Sequence, residues 1–142
     1  MQIRLRVPQE ESQLADLAAA IDGVLAREGV GGLVAHDVQL VAEEVVCNAL
    51  EYGRIEGREH EIRVGIDVRD GVVTLEFRDD CLAYNPLERP APDLDADIRD
   101  RPIGGLGVHL IRELAEEVSY RREEPHNILR VVLRTEPKGS PA

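Results

Sequence analysis

Glu44 and Asn48 stand one helical turn apart in the otherwise apolar stretch VAEEVVCNAL. An amide oxygen suits a hard cation such as Mg2+, which characteristically bridges a few protein oxygens to substrate phosphates and waters. A carboxylate one turn earlier could orient or deprotonate an attacking hydroxyl. Taken alone, the pair reads more readily as two polar positions on the surface of an amphipathic helix.

Two further segments have chemistry-bearing spacing. IGGLGVHL puts Gly104, Gly105 and Gly107 immediately ahead of a helical pattern. Free N–H groups and the positive end of a helix dipole there make a ready phosphate site, though a loop running into a helix start looks the same. It is not a Walker loop, because no lysine occurs before Lys138, and it is not a dinucleotide fingerprint, because the third glycine position is Leu110. In FRDDCLAYNP, an aspartate leaving a strand, Asp79 or Asp80, can accept a hydrogen bond from an exocyclic amine such as that of adenine. A solvent-facing carboxylate is the ordinary alternative.

The elements that must position these residues follow from periodicity. IRLRV alternates as a short first strand, ended by Pro8. Leu14, Leu17, Ala18, Ile21, Val24 and Leu25 recur at three- and four-residue intervals and predict a helix, stopped by the glycines at 29–32. A second helix is expected over 35–52, with Val38, Val41, Ala42, Val45 and Ala49 as its core stripe. At about 100° per residue, Glu44 and Asn48 fall side by side just off that stripe.

From His60 the period changes to two. Ile62, Val64, Ile66 and Val68 lead to Asp70-Gly71, and Val73, Leu75 and Phe77 return, which is a hairpin signature. A span with four prolines, many aspartates and no sustained period follows, to about Gly105. Loops this long inside a compact domain are usually functional. A third helix is expected over 107–118, then strands VSYRR and ILRVVLR joined by a turn over 124–127. This order predicts an α+β fold, a two-layer sandwich with a mixed, mostly antiparallel sheet and helices on one face.

Composition bounds the function. The 142 residues suit one domain, and 43% hydrophobic with 32% charged residues describes a globular chain. A net charge of −11 and the absence of tryptophan argue against nucleic acid as the partner. No run of about 20 apolar residues is present to cross a membrane, and a cytoplasmic location is expected. Cys47 and Cys81 lack paired-ligand spacing, and no two histidines stand at i, i+4, so neither a disulfide framework nor a zinc site is expected.

The order helix Glu-x-x-x-Asn, strand-end Asp, long loop, Gly-x-Gly and helix resembles the N-box and two glycine boxes of the GHKL ATPase superfamily. AEEVVCNALEYG, DDCLAYNPL and RPIGGLGVHLIREL are similar to the blocks of its small serine-protein kinases that act as anti-sigma factors. The resemblance covers nearly the whole chain and implies a single ATP-binding kinase domain over 1–136, a nucleotide lid at about 81–103 and a tail at 137–142.

By that resemblance Asn48 would ligate Mg2+ and Glu44 would act as base. Asp79 would read the adenine amine, and Gly104, Gly105 and Gly107 would admit the phosphates of ATP. Arg101, at the end of the lid, would touch the terminal phosphate. The implied reaction moves the γ-phosphate to a serine or threonine of an anti-sigma-factor antagonist of the STAS type. A sigma factor and a second copy of the chain are further partners that the resemblance allows. One departure stands out: the first box reads Asp-x-Gly in the family, and here Cys81 and Ala83 replace its glycines. Glycine serves where backbone must bend or approach closely, so the alternative is a catalytically weak module that sequesters its partner by binding.

Overall fold

The computed structural model describes residues 2–7, 12–52, 57, 60–83, 85–88 and 111–135. Five strands make one sheet: β1 (Gln2–Val7), β2 (His60–Arg69), β3 (Val72–Asp79), β4 (Glu117–Glu123) and β5 (His126–Arg134). Their spatial order is β1-β2-β3-β5-β4. Every neighbouring pair is antiparallel, so the described sheet has none of the expected parallel admixture. The architecture is α+β, and among the described residues the helices α1 (Ser12–Arg27) and α2 (Gly32–Tyr52) pack over the sheet.

The alternating positions of β2 and β3 send Ile62, Val64, Ile66, Val73, Leu75 and Phe77 to the helix-covered face, all buried. Antiparallel partners share a face, so Leu129, Val131 and Leu133 of β5, opposite Phe77, Leu75 and Val73, join the same layer. From above, α1 contributes Leu17, Ile21, Val24 and Leu25, and α2 contributes Val38, Val41, Ala42, Val46 and Ala49. The stripe of α2 is centred on Val46 as well as Val41, and Val45 is half-buried. Gln39 ties the helices together, donating from Nε2 to the carbonyl of Ala18 and to Asp22 Oδ1, both at 2.8 Å.

Local boundaries follow capping and turn chemistry. Gly29 adopts φ +73° as α1 ends, and the N–H of Val30 returns to the carbonyl of Leu25 at 2.8 Å, a glycine-terminated helix end. Asp70 (φ 51°) and Gly71 (φ 74°) make the two-residue hairpin turn whose twist matches the strands. Helix α2 begins three residues before the expected position 35.

The third helix ends earlier than its pattern suggests. Residues 111–114 are helical, Ala115 closes the turn onto the carbonyl of Ile111, and Glu117 and Val118 already belong to β4. Pairing of Glu117 with Val132 and of Val118 with Val131 outweighs the helical propensity of LAEEV. Asn127, expected in the turn, is a β5 residue opposite Asp79. No helix among the described residues is long and apolar enough to cross a membrane.

Candidate nucleotide site

At one end of the sheet the apolar layer gives way to polar side chains on the same face. In β3 the buried positions run Val73, Leu75, Phe77 and then Asp79, 9% exposed. Period-two geometry therefore settles which of the two adjacent aspartates faces inward: Asp79 does. Asp80, past the strand end, is half-buried and turns to the opposite strand, where its Oδ1 accepts from the N–H of Glu61 at 3.0 Å.

The Asp79 carboxylate is fixed through one oxygen. Oδ1 accepts the N–H of Cys81 at 3.0 Å, a side-chain-to-backbone turn of the kind aspartate favours, and the Nδ2 of Asn127 at 2.9 Å. No described residue donates to Oδ2, which leaves an acceptor for an amine entering the pocket.

Asn127 links this corner to the last hairpin. Its Nδ2 also donates to the carbonyl of Leu82 at 2.8 Å, while its Oδ1 accepts from Tyr120 Oη at 2.6 Å and Arg122 Nη1 at 3.1 Å. Arg122 Nη1 reaches the carbonyl of Cys81 at 3.1 Å, and its guanidinium forks onto Glu124 with two 3.0 Å bonds. The bond from Arg122, reinforced by its charge, holds the Glu124 carboxyl below its ordinary pKa, and the same bond raises that of Arg122. Tyr120, Arg122 and Asn127 have no motif in the sequence. Their signal was register alone: Asn127 lies opposite Asp79 once β3 and β5 pair.

On the helix side of the same pocket is Asn48, 4% exposed and thus inside the core edge rather than merely beside it. Its Nδ2 is buried without a hydrogen-bond partner among the described residues. Amide nitrogen and oxygen are interchangeable by a flip, so this orphaned end can present a donor or an oxygen to whatever enters. A buried amide left unpaired costs on the order of 1–3 kcal/mol, and unsatisfied buried groups of this kind call for an explanation, a ligand being one.

The pocket that joins these groups is lined by Val45, Asn48, Ala49, Phe77, Asp79, Cys81, Pro86, Leu87, Ile111, Tyr120, Asn127 and Leu129. Its walls are chiefly apolar, with a few converging polar groups, as small-molecule sites usually are. Leu87 belongs to a short 3-10 turn (Pro86–Glu88), and its carbonyl accepts a bond from the Arg112 guanidinium, tying that turn to the helical segment at 111–114. Leu87 N–H in turn donates to Asn85 Oδ1 at 2.9 Å.

The structure therefore brings Asn48 and Asp79 to one cavity, with Cys81, 2% exposed, also in its lining. Glu44 is half-buried on α2, a turn before Asn48, and is not part of the lining. Arg101, Gly104, Gly105 and Gly107, and the proposed lid beyond residue 88, lie outside the described residues.

The donor set fits a magnesium nucleotide. An apolar slot closed by a carboxylate suits a flat heterocycle bearing an amine, and the unpaired Nδ2 end of Asn48 suits phosphate oxygens as placed, or a hard cation once the amide is flipped to present its oxygen. Comparison with known proteins agrees with this composition. The profile of the histidine kinase-like ATPase domain matches residues 7–133. The chain belongs to that family.

Within the histidine kinase-like ATPases, the chain is 26% identical over 100 residues to the serine/threonine-protein kinase BtrW of Bordetella bronchiseptica, covering 70% of each protein. Among solved structures it resembles the histidine kinase domain of the blue-light activated histidine kinase from Erythrobacter litoralis EL346 (TM-score 0.52, 18% identity), covering 87% of this chain and 60% of that one. A second structure of that kinase matches with a TM-score of 0.53 and 18% identity, and the chain spans 41% of its length. These likenesses establish the ATPase fold. Family membership and the BtrW match make the chain a kinase-like ATPase domain of the ATP-binding type.

Proposed function

We propose that this protein is a serine/threonine-protein kinase and anti-sigma factor that phosphorylates a STAS-type antagonist with ATP. The observation that carries the reading is the buried, unpaired Asn48 amide facing the Asp79 carboxylate across one pocket. The serine/threonine assignment is supported by the 26% identity to BtrW.

The roles divide by position. Oδ2 of Asp79 accepts the adenine amine, while Asn127 and the Cys81 N–H hold Oδ1 so that the carboxylate keeps its orientation. Phe77, Leu87 and Leu129 supply the apolar walls and exclude water. Asn48, with its amide flipped to present the oxygen, would hold Mg2+, and the ion would supply neutralisation of phosphate charge. Glu44, a turn away, accepts the proton of the incoming hydroxyl, with Arg101 and the glycines at 104, 105 and 107 serving the phosphates. Positioning and charge neutralisation account for most of the rate in such transfers. A phosphorylated product gains about −1.5 to −2 charges, and a chain of net charge −11 repels it, which gives release of the antagonist an electrostatic basis.

A second reading has an observation of its own. Cys81, buried in the pocket wall where the family carries glycine, adds a Cβ and sulfur beside the adenine position. In that reading the protein binds nucleotide weakly, does not turn it over, and acts by sequestering a sigma factor or antagonist. One experiment separates the two: γ-labelled ATP and Mg2+ are incubated with the chain and a STAS protein from the same genome, for wild type and Glu44→Ala. Label on the STAS protein that disappears in the variant supports the kinase. Binding of the STAS protein without label in wild type supports the sequestering module and overturns the kinase.

A further inference from the structure

The corner that holds Asp79 carries a second cluster, which shares Cys81 with the nucleotide pocket and adds His60 and Asp80, two residues the nucleotide reading does not use. His60 opens β2 and is 2% exposed; Asp80 and Cys81 follow the end of β3. Continuing the antiparallel register past Ile62↔Asp79 sets these residues beside one another although Asp80 and Cys81 stand twenty and twenty-one positions after His60. His60 Nδ1 and Asp80 Oδ1 are 3.1 Å apart, and a ring nitrogen of His60, a carboxylate oxygen of Asp80 and Sγ of Cys81 all lie within 4.8 Å of one another.

We infer that His60, Asp80 and Cys81 supply three ligands of a zinc site. A nitrogen, an oxygen and a thiolate are the donors that Zn2+ takes, whereas Mg2+ and Ca2+ favour all-oxygen sets. Zinc bonds of about 2.0–2.1 Å at a tetrahedral angle separate nitrogen and oxygen ligands by about 3.3 Å, against 3.1 Å between His60 and Asp80. The sulfur must close to about 3.6 Å from each, an adjustment of at most about 1.2 Å from the 4.8 Å limit.

The ligands are also oriented. The N–H of Glu61 donates to Asp80 Oδ1 at 3.0 Å, the kind of outer contact that fixes a ligating carboxylate. His60 is held in the sheet by pairing with Val7, and the backbone of Cys81 is held by Asp79 and Arg122. Asp80, its side chain 23% exposed, lines a shallow polar pocket with Glu61, Arg63, Arg78 and His126, which is the way in for an ion. Binding releases the thiol proton to solvent as the Zn–S bond forms. Paired-ligand spacing is absent from the sequence because the ligands come from the ends of two strands rather than from one loop or helix.

The site stands independently of the kinase reading, and its test needs no nucleotide. Full-length chain stripped with a chelator is titrated with Zn2+ against a chromogenic competitor, with Mg2+ in excess, and with Co2+ as a spectroscopic probe. One equivalent of Zn2+ and a thiolate-to-cobalt charge-transfer band are expected. Cys81→Ser and His60→Gln should each weaken Zn2+ binding by roughly tenfold or more, with Cys47→Ser unchanged. Since these variants alter buried residues, the Cys47→Ser chain with Cys81 intact provides the second readout: Zn2+ should slow alkylation of Cys81 by roughly tenfold or more. Absence of the cobalt band, loss of it in Cys47→Ser, or alkylation equally fast with and without Zn2+ would overturn the proposal.

Discussion

The two ends of the β2–β3 hairpin are built from the same strands and differ completely. At the turn end, Asp70 and Gly71 reverse the chain in the open, Thr135 caps the carbonyl of Gly71 through its N–H and Oγ1, and the nearby pair Arg69–Asp67 is exposed. At the other end, His60 and Asp79 are buried on the face that elsewhere carries valine, leucine and phenylalanine. Asn48 and Asn127, the remaining buried polar residues among those described, lie at this end too. Burying polar groups costs free energy unless they are paired, so their collection at a single end of an otherwise apolar layer marks the end that serves a ligand. The turn end only has to reverse the chain.

The largest effect should come from cutting the support of Asp79. Asn127→Ala removes bonds to Asp79, Leu82, Tyr120 and Arg122 at once, and hydrogen bonds to charged groups are each worth about 1.5–3 kcal/mol. A loss of about 3 kcal/mol in urea unfolding is expected, with weakened ATP binding; a loss under about 1 kcal/mol would show the corner to be held without Asn127.

Asn48→Leu should break the comparison in the opposite sense. Removing an unpaired buried amide raises stability by about 1 kcal/mol, while Mg2+-ATP affinity falls about tenfold or more, or about 1.4 kcal/mol. Calorimetry and thermal unfolding together read this trade, and unchanged affinity would remove Asn48 from the site.

At the turn end, Gly71→Ala forces a Cβ into φ +74° with Thr135 Oγ1 at 3.4 Å. It should cost about 1–2 kcal/mol of stability and leave ATP affinity unchanged by calorimetry. A change in affinity would mean that the two ends are coupled.

The smallest effect is the pH response of the Arg122–Glu124 fork. The Glu124 carboxyl is held below its ordinary value of 4.5, so its contribution is fully present above that pH and is lost as pH falls through the lowered value. Below pH 4.5, Glu124→Gln and wild type should converge in stability as acid is added. A difference that stays constant would show that the exposed fork contributes nothing measurable, as many surface pairs do not.

Much of this was legible from local pattern. The apolar recurrence of α1, the alternation of β2 and β3 and the Asp-Gly turn each reflect one element's own geometry, and the structure contains them all. Alternation counted one step beyond Phe77 even distinguishes Asp79 from Asp80. The failures were non-local. LAEEV continues a helical pattern, yet Glu117 and Val118 pair with β5; Asn127 looks like turn chemistry, yet it faces Asp79 across the sheet.

The linear chain by itself determined the layers, the hairpin and the family blocks, because period and turn preference act within a few residues. Tertiary structure alone decided which amide nitrogen is left unpaired, that Cys81 and Asn127 together hold the Asp79 carboxylate, and that a histidine and a cysteine twenty-one positions apart share a corner. Those facts depend on strand register and burial, and both are set by contacts between segments whose sequences carry no mark of one another.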